Sequence, residues 1–148
     1  GPNIVTSLGL DPAEMEKRNI HLQQKYAEIE EKEVRYEEIH CDDAEYLIVA
    51  FGSCARIAQK AMEEARAEAI KVGLLRPITL WPFPSKAIAE RSRQVKGILT
   101  VELNAGQMVE DVRLAVECKV PVEYFGRLGG IVPDPDEVVT ALKEKIIK

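Results

Sequence analysis

A continuous apolar run at residues 46–51 (YLIVAF), ended by Gly52 and Ser53, constrains the fold more than any other feature. Such a run is typical of a strand covered on both faces, as strands of parallel sheets are. An alanine-rich helical repeat over residues 55–72 follows, with Ile57, Ala61, Ala65, Ala69 and Val72 on one side, and Gly73 stops it. The chain is therefore expected to alternate strand and helix.

The alternation continues to the end of the chain. Further strands are predicted at residues 74–81, 97–103 and 121–125, with a short edge strand at 34–39, and further helices at 86–94, 104–117 and 135–147. This order predicts an α/β fold with three α/β/α layers around a mostly parallel sheet.

Polar residues mark the predicted helix starts. Ser85 is positioned to cap the helix over 86–94. Asn104 with Gln107, and Asp134 with Glu137, have the three-residue spacing of a capping box.

The first third of the chain has a different character. The pattern of residues 11–33 predicts a helix with Asp11 at its cap. The apolar side of this helix is narrow and consists of Met15, Leu22, Tyr26 and Ile29. A helix with so thin a stripe lies on the outside of a larger structure. We therefore divide the chain into a linker with an N-terminal helix at 1–33 and an α/β domain at 34–148.

Charge and composition exclude several classes of protein. The 20 Lys and Arg are outnumbered by 25 Asp and Glu and form no basic patch, so nucleic acid is not expected as a partner. No apolar run reaches the roughly 18 residues of a membrane span. The three cysteines form no C-x-x-C pair, so neither a disulfide framework nor a metal or iron–sulfur site is expected. A cytoplasmic location and no membrane contact are the expectations.

Four loops follow the carboxyl ends of the predicted parallel strands, where ligands and partners of such sheets meet the chain. They contain Gly52-Ser53, Trp81-Pro82, residues 102–107 and residues 127–130. The structural alternatives are a simple strand-to-helix turn at Ser53 and a packed plug at Trp81. No catalytic triad and no metal ligands can be proposed.

Two side chains at this edge invite a specific interpretation. Glu102 ends an apolar strand, where a carboxylate needs a partner, and Arg127 on a neighbouring loop is the candidate for a structural ion pair or a ligand contact. Cys54, beside a helix N-terminus, is either a thiol of lowered pKa or a small buried one.

Three segments carry a resemblance to a known family. Residues 101–116 (VELNAGQMVEDVRLAV), residues 121–130 (PVEYFGRLGG) with Val132-Pro133, and residues 72–84 (VGLLRPITLWPFP) resemble the C-terminal part of the alpha subunit of 2-oxoacid:ferredoxin oxidoreductases, nearest to the 2-oxoisovalerate type. The resemblance implies a transketolase C-terminal-like fold, with five strands and an antiparallel first strand at the edge. Residues 1–33, including Val5-Thr6, resemble a linker leaving a preceding domain.

The resemblance also implies what this chain lacks. Enzymes of the family decarboxylate a 2-oxoacid on thiamine diphosphate with magnesium, pass electrons through iron–sulfur clusters to ferredoxin, and give the acyl group to coenzyme A. No G-D-G segment for the diphosphate and no cluster cysteines occur here. The chain alone is therefore expected to bind no cofactor and to be inactive.

Two functions remain open. The first is a non-catalytic domain that supports subunit assembly and the active site. Its partners would be the N-terminal part of the same subunit, other subunits, ferredoxin through the complex, or a second copy. The interface candidates are Ser53, Glu102, Asn104, Gln107, Arg127, Gly129 and Gly130. The second is a free-standing α/β ligand-binding or interaction module that uses these loops for a small anion. The thin N-terminal helix favours the first.

Overall fold

The secondary structure follows the predicted alternation of strands and helices. The computed structural model describes residues 1–2 and 9–147, so Val5-Thr6 of the predicted linker lies outside the described residues. The elements are α1 (Pro12–Lys32), β1 (Tyr36–Ile39), β2 (Tyr46–Ala50), α2 (Gly52–Ala67), β3 (Val72–Pro77), α3 (Ser85–Arg91), β4 (Ile98–Glu102), α4 (Met108–Val116), β5 (Val122–Gly126) and α5 (Pro135–Leu142), with a π-helical turn at Lys143–Ile147.

The five strands form one sheet in the order β1-β3-β2-β4-β5. The pairs of β2 with β3, β2 with β4, and β4 with β5 are parallel, whereas β1 runs antiparallel to β3 at the edge. The predicted mixed sheet with one antiparallel edge strand is therefore confirmed. Because β2, β4 and β5 are neighbours, the loops at their carboxyl ends share one edge of the sheet.

The sheet is covered on both faces, which confirms the three layers. Ile48 and Ala50 of β2 pack in one buried cluster with residues of α2 and α5. Leu47 and Val49, which point to the opposite face of the same strand, pack in a second cluster with residues of α3 and α4. Burial on both faces explains why β2 reads as an unbroken apolar run.

The helix predicted over residues 55–72 is too long. The structure ends α2 at Ala67, gives Ala69 a φ of 65°, and uses Val72 as the first residue of β3. The side chain of Arg66 closes this turn, since its Nε donates to the carbonyl oxygen of Val72 at 2.8 Å. Ala61 and Ala65 of the predicted face are buried, but Ala69 is exposed.

Of the helix caps predicted for α1, α3 and α5, those of α1 and α5 are present and that of α3 is not. Asp11 caps α1, with its Oδ1 accepting the backbone N–H of Ala13 at 2.8 Å, and the Asp134–Glu137 capping box of α5 is present. Ser85 does not cap α3 but is its first helical residue, and Pro84 occupies the cap position. The strand predicted to reach residue 81 ends at Pro77, and a loop that contains a cis Trp81–Pro82 peptide bond follows it.

Helix α1 contributes no buried residue, as its thin stripe predicted. Its ring contact with the domain is between Tyr26 and Trp81, whose rings meet edge to face with centroids 5.7 Å apart. Among the described residues, no helix is both long and apolar enough to cross a membrane.

Candidate functional site

Glu102 organises the carboxyl edge of the sheet. It is the last residue of β4 and is fully buried. Its Oε2 accepts the backbone N–H of Gln107 at 3.1 Å and of Met108 at 2.8 Å, and its Oε1 accepts that of Val109 at 2.9 Å. These donors belong to the first turn of α4, where backbone N–H groups lack partners within the helix and negative charge is favoured. The carboxylate therefore caps α4 from the preceding strand.

The predicted ion pair between Glu102 and Arg127 is wrong. The guanidinium Nη2 of Arg127 lies 2.7 Å from Oε1 of Glu137 in α5, and only the backbone of Arg127 meets Glu102, its N–H donating to the carbonyl oxygen at 3.2 Å. The three backbone donors already satisfy the Glu102 carboxylate, so a guanidinium is not needed there. Arg127 instead ties the loop after β5 to the last helix.

The predicted capping box of Asn104 and Gln107 is also wrong. The Oδ1 of Asn104 accepts the N–H of Gly106 at 2.8 Å and so closes a turn within the loop. Gln107 occupies the cap position of α4 without a side-chain hydrogen bond. Glu102 caps α4 instead, because its side chain reaches the start of the helix from the end of β4. The spacing of residues 104 and 107 gives no sign of this contact.

Tyr124 is a member of this edge that the sequence analysis missed. Its hydroxyl donates to the carbonyl oxygen of Asn104, and a side chain on Gly126 would collide with that hydroxyl. Burial, followed by the negative charge of Glu102, raises the pKa of the Tyr124 phenol. The alternation of side chains between the two faces of β5 could have indicated this contact, since it places residues 124 and 126 on the same face.

Cys54 is the buried thiol rather than the activated one. It is 3% exposed, and burial raises the pKa of its thiol, with the negative charge of Glu102 acting in the same direction. Both effects oppose the one expected from the N-terminus of α2. Ser53, the residue before it, is exposed.

Gly129 and Gly130 form an open turn in the loop after β5. Their φ angles are 65° and 85°, values that favour glycine, and added side chains would meet no other atom there. The turn is flanked by Leu128 and Ile131, which are 56% and 55% exposed. The glycines thus serve backbone shape and leave apolar side chains on the surface.

The loops at the carboxyl edge expose many large apolar side chains. Seven of the large apolar side chains that the described residues leave exposed follow the ends of β3, β4 and β5: Ile78, Leu80, Trp81, Leu103, Leu128, Ile131 and Val132. Trp81 is 56% exposed, so the prediction of a packed plug is wrong. Apolar side chains gathered along one edge are typical of an interaction surface.

The described residues do not fit a metal-bound diphosphate or an iron–sulfur cluster. Nowhere between residues 9 and 147 do three His, Cys, Asp or Glu side chains come together in a way that could hold a metal ion. Cys41 and Cys54 are buried and Cys118 is exposed after α4, so the thiols lie on separate elements.

Comparison with known proteins gives a consistent pattern. Residues 44–138 match the family described as pyruvate:ferredoxin oxidoreductase core domain II. The chain is 50% identical over 142 residues to ketoisovalerate oxidoreductase subunit VorB of Methanothermobacter thermautotrophicus, covering 96% of this chain and 40% of that protein. It is 32% identical over 101 residues to 2-oxoglutarate synthase subunit KorA of Methanothermobacter marburgensis, covering 68% of this chain and 27% of that protein. The chain thus spans less than half the length of these relatives.

Solved structures extend the comparison to the fold. The 2-oxoglutarate:ferredoxin oxidoreductase from Magnetococcus marinus, solved with 2-oxoglutarate, coenzyme A and succinyl-CoA, superposes with a TM-score of 0.79 at 25% identity, over 92% of this chain and 24% of that one. A split-gene transketolase, as an inactive beta4 tetramer, gives a TM-score of 0.65 at 21% identity, over 74% of this chain and 40% of that one. The transketolase-like fold is thereby confirmed.

Proposed function

This chain belongs to the pyruvate:ferredoxin oxidoreductase core domain II family, and we propose that it is a non-catalytic domain of the alpha subunit of a 2-oxoacid:ferredoxin oxidoreductase. The proposed complex converts a 2-oxoacid to an acyl-CoA with ferredoxin as electron acceptor. The identity with a ketoisovalerate oxidoreductase subunit supports 2-oxoisovalerate as the substrate. Within this complex the domain supports subunit assembly and the active site.

The observation that carries the proposal is the apolar carboxyl edge. Seven exposed apolar side chains on the loops after β3, β4 and β5 are more than a surface facing water requires. A catalytic site at this edge would instead need converging polar groups, whereas the side chains of Glu102 and Asn104 bind the chain's own backbone and Arg127 pairs with Glu137. The edge is therefore proposed as the surface that meets the rest of the enzyme.

The contacts behind this edge support a rigid platform. Glu102 holds the start of α4 to the end of β4, and Arg127 joins the loop after β5 to Glu137 of α5. Pre-ordered loops bind a partner with less loss of conformational freedom. Gly129 and Gly130 have no side chains that could cover the exposed Leu128 and Ile131 beside them.

Cofactors of the proposed enzyme would be held outside this domain. Thiamine diphosphate, magnesium and iron–sulfur clusters are proposed for the complete complex, in the cytoplasm, with coenzyme A as a substrate. Calorimetric titration of the isolated chain should give no heat of binding for thiamine diphosphate with magnesium. Saturable binding below about 10 μM, equivalent to about −7 kcal/mol, would place the cofactor site in this domain instead.

A domain exchange tests the proposal directly. The 142 matched residues of VorB in the Methanothermobacter thermautotrophicus complex would be replaced by the corresponding residues of this chain. We expect the hybrid complex to assemble and to reduce methyl viologen with 2-oxoisovalerate and coenzyme A. A hybrid subunit that folds but never joins its complex would contradict the proposal.

Surface variants identify the edge that acts in assembly. In the hybrid, Leu128→Asp with Ile131→Asp should release the subunit from the complex in size-exclusion chromatography, because both side chains project from the carboxyl edge. Leu114→Asp is the matched control, since Leu114 is 78% exposed on α4 and away from that edge. Equal behaviour of the two variants would move the interface elsewhere.

A further inference from the structure

A groove of about 690 Å³ separates the C-terminal half of α1 from the loop that follows β3. Glu30 and Glu31 line it from α1, Trp81 and Phe83 from the loop, Tyr36 from β1, and Lys86 from α3. A volume of this size is within the range of small-ligand pockets in proteins. The groove lies beside the carboxyl edge and shares Trp81 with it.

The two walls of the groove are joined at the C-terminal end of α1. The backbone N–H of Arg35, just after α1, donates to Oγ1 of Thr79 at 3.0 Å, and the N–H of Ile78 donates to the carbonyl oxygen of Arg35 at 2.9 Å. Thr79 Oγ1 in turn donates to the carbonyl oxygen of Pro82 at 2.8 Å. The ring contact of Tyr26 with Trp81 adds a second bridge. These contacts hold the C-terminal end of α1 beside the loop after β3.

Aromatic faces and free negative charge meet in this groove. Trp81 is 56% exposed and Tyr36 is 42% exposed, so part of each ring is open to contact. Glu14 and Glu28 of α1 form ion pairs with Lys17 and Lys32. Glu30 and Glu31, in contrast, form no ion pair with any of the described residues. Lys86 is the one cationic side chain among the lining residues, so the lining keeps a net negative charge.

We propose that this groove binds an arginine side chain carried by a segment of another polypeptide chain. The guanidinium group is planar and weakly hydrated, stacks on aromatic rings, and pairs with carboxylates. The guanidinium would stack on the ring of Trp81 and donate hydrogen bonds to the carboxylates of Glu30 and Glu31. The charge of the lining opposes an acidic segment. The proposal does not depend on which enzyme contains the domain.

Trp81 provides the measurement, because it is the only tryptophan of the chain. The probe is the blocked peptide acetyl-Gly-Leu-Arg-Leu-Gly-amide, and the matched peptide carries citrulline, which keeps the shape of arginine without its charge. We expect saturable quenching or a blue shift of the tryptophan emission with the arginine peptide. The citrulline peptide should bind on the order of tenfold more weakly.

Two double variants separate the groove from general charge. Glu30→Gln with Glu31→Gln should weaken binding of the arginine peptide on the order of tenfold. Glu16→Gln with Glu28→Gln removes the same charge from α1 at positions outside the lining, and should leave the affinity unchanged. All four positions are exposed, so the fold is expected to persist in both variants.

Three results would overturn the proposal. The first is no change in Trp81 emission up to 1 mM of the arginine peptide, a concentration corresponding to about −4 kcal/mol of binding. The second is equal binding of the arginine and citrulline peptides, which would make the groove a purely apolar contact. The third is equal loss of affinity in the two double variants, which would make the effect one of net charge.

Discussion

The carboxylate of Glu102 accepts the backbone N–H of Met108 at 2.8 Å, and both residues are buried where β4 ends and α4 begins. A charged side chain inside an apolar interior is tolerated only when its hydrogen bonds are complete. Here Gln107 and Val109 supply the remaining donors. One side chain thus fixes the geometry of a strand, a loop and a helix start at the proposed interface.

Replacing this carboxylate should destabilise the domain. Glu102→Gln keeps the shape but turns an NH2 group toward backbone N–H donors and removes the negative charge at the helix start. We expect a loss of about 2–3 kcal/mol in the free energy of unfolding, and a melting temperature lower by about 6 °C. Urea unfolding followed by circular dichroism measures the first quantity.

Glu110→Gln is the control for this experiment, because Glu110 lies in the same first turn but is exposed and pairs only with Arg113. Its effect should stay within about 0.5 kcal/mol. A Glu102→Gln protein as stable as this control would show that the buried hydrogen bonds are not needed.

Breaking the ion pair of Arg127 and Glu137 should lower the free energy of unfolding by less than Glu102→Gln does. Both side chains are partly exposed, at 41% and 36%, and Nε of Arg127 is enclosed without a hydrogen-bond partner among the described residues. Arg127→Ala should therefore cost less than about 1 kcal/mol. Glu137→Ala should cost more, about 1–2 kcal/mol, because it also removes the oxygen that accepts the Asp134 N–H.

Chemical denaturation of both variants, with Glu137→Gln as a third, measures this order. The glutamine keeps an oxygen for the cap and should fall between the two alanine variants. A loss above about 3 kcal/mol for Arg127→Ala would contradict this prediction, because a loss of that size is typical of breaking a buried ion pair.

Local patterns predicted the sheet well. The apolar run of β2, the short alternating edge strand β1 and the capping box of α5 each depend on neighbouring residues, and all three are present in the structure. The end of α2 was missed because alanine continues the helical pattern beyond Ala67, whereas a tertiary hydrogen bond from Arg66 to Val72 fixes the turn. Patterns do not show such contacts.

Pairing of side chains at the carboxyl edge was the least predictable part. The topology correctly placed Glu102 and Arg127 at the carboxyl ends of adjacent strands, and opposite charge then suggested a pair. The structure favours backbone donors for Glu102 because they are already held within 3.1 Å by the start of α4. Arg127 then finds a carboxylate in α5, a helix that is close in space but not in the local pattern.

Cys41 should make stability depend on alkaline pH. Its thiol is 3% exposed and lies 3.4 Å from the carbonyl oxygen of Leu74. Burial, with the negative charge of Glu38 acting in the same direction, raises the pKa of this thiol from 9.0 to about 11. The folded state therefore holds its proton more tightly than the unfolded state. This stabilisation is complete below pH 9 and is lost as the pH rises through about 11.

Comparison of wild type with Cys41→Ala isolates this effect from other groups that titrate in alkali. The difference between their free energies of unfolding should shrink by about 2 kcal/mol between pH 8.5 and 11, measured by urea unfolding under reducing conditions. Cys118→Ala is the control, because Cys118 is exposed and its difference from wild type should stay constant. A constant difference for Cys41→Ala would contradict the buried, neutral thiol.

The last prediction concerns α1, which contributes no buried residue to the domain. Helical stability in proteins comes mostly from tertiary packing, so amide hydrogens at residues 15–24 should exchange faster than those of β2 and β4. Residues 26–32, near the Tyr26–Trp81 contact, should exchange at intermediate rates. Tyr26→Ala should raise the exchange rates of residues 26–32 to those of residues 15–24, whereas Lys25→Ala should leave the two rates different. If a second copy covers α1, exchange should slow as protein concentration rises. Protection of residues 15–24 equal to that of β2, in a demonstrated monomer, would contradict the expectation that α1 lies on the outside of a larger structure.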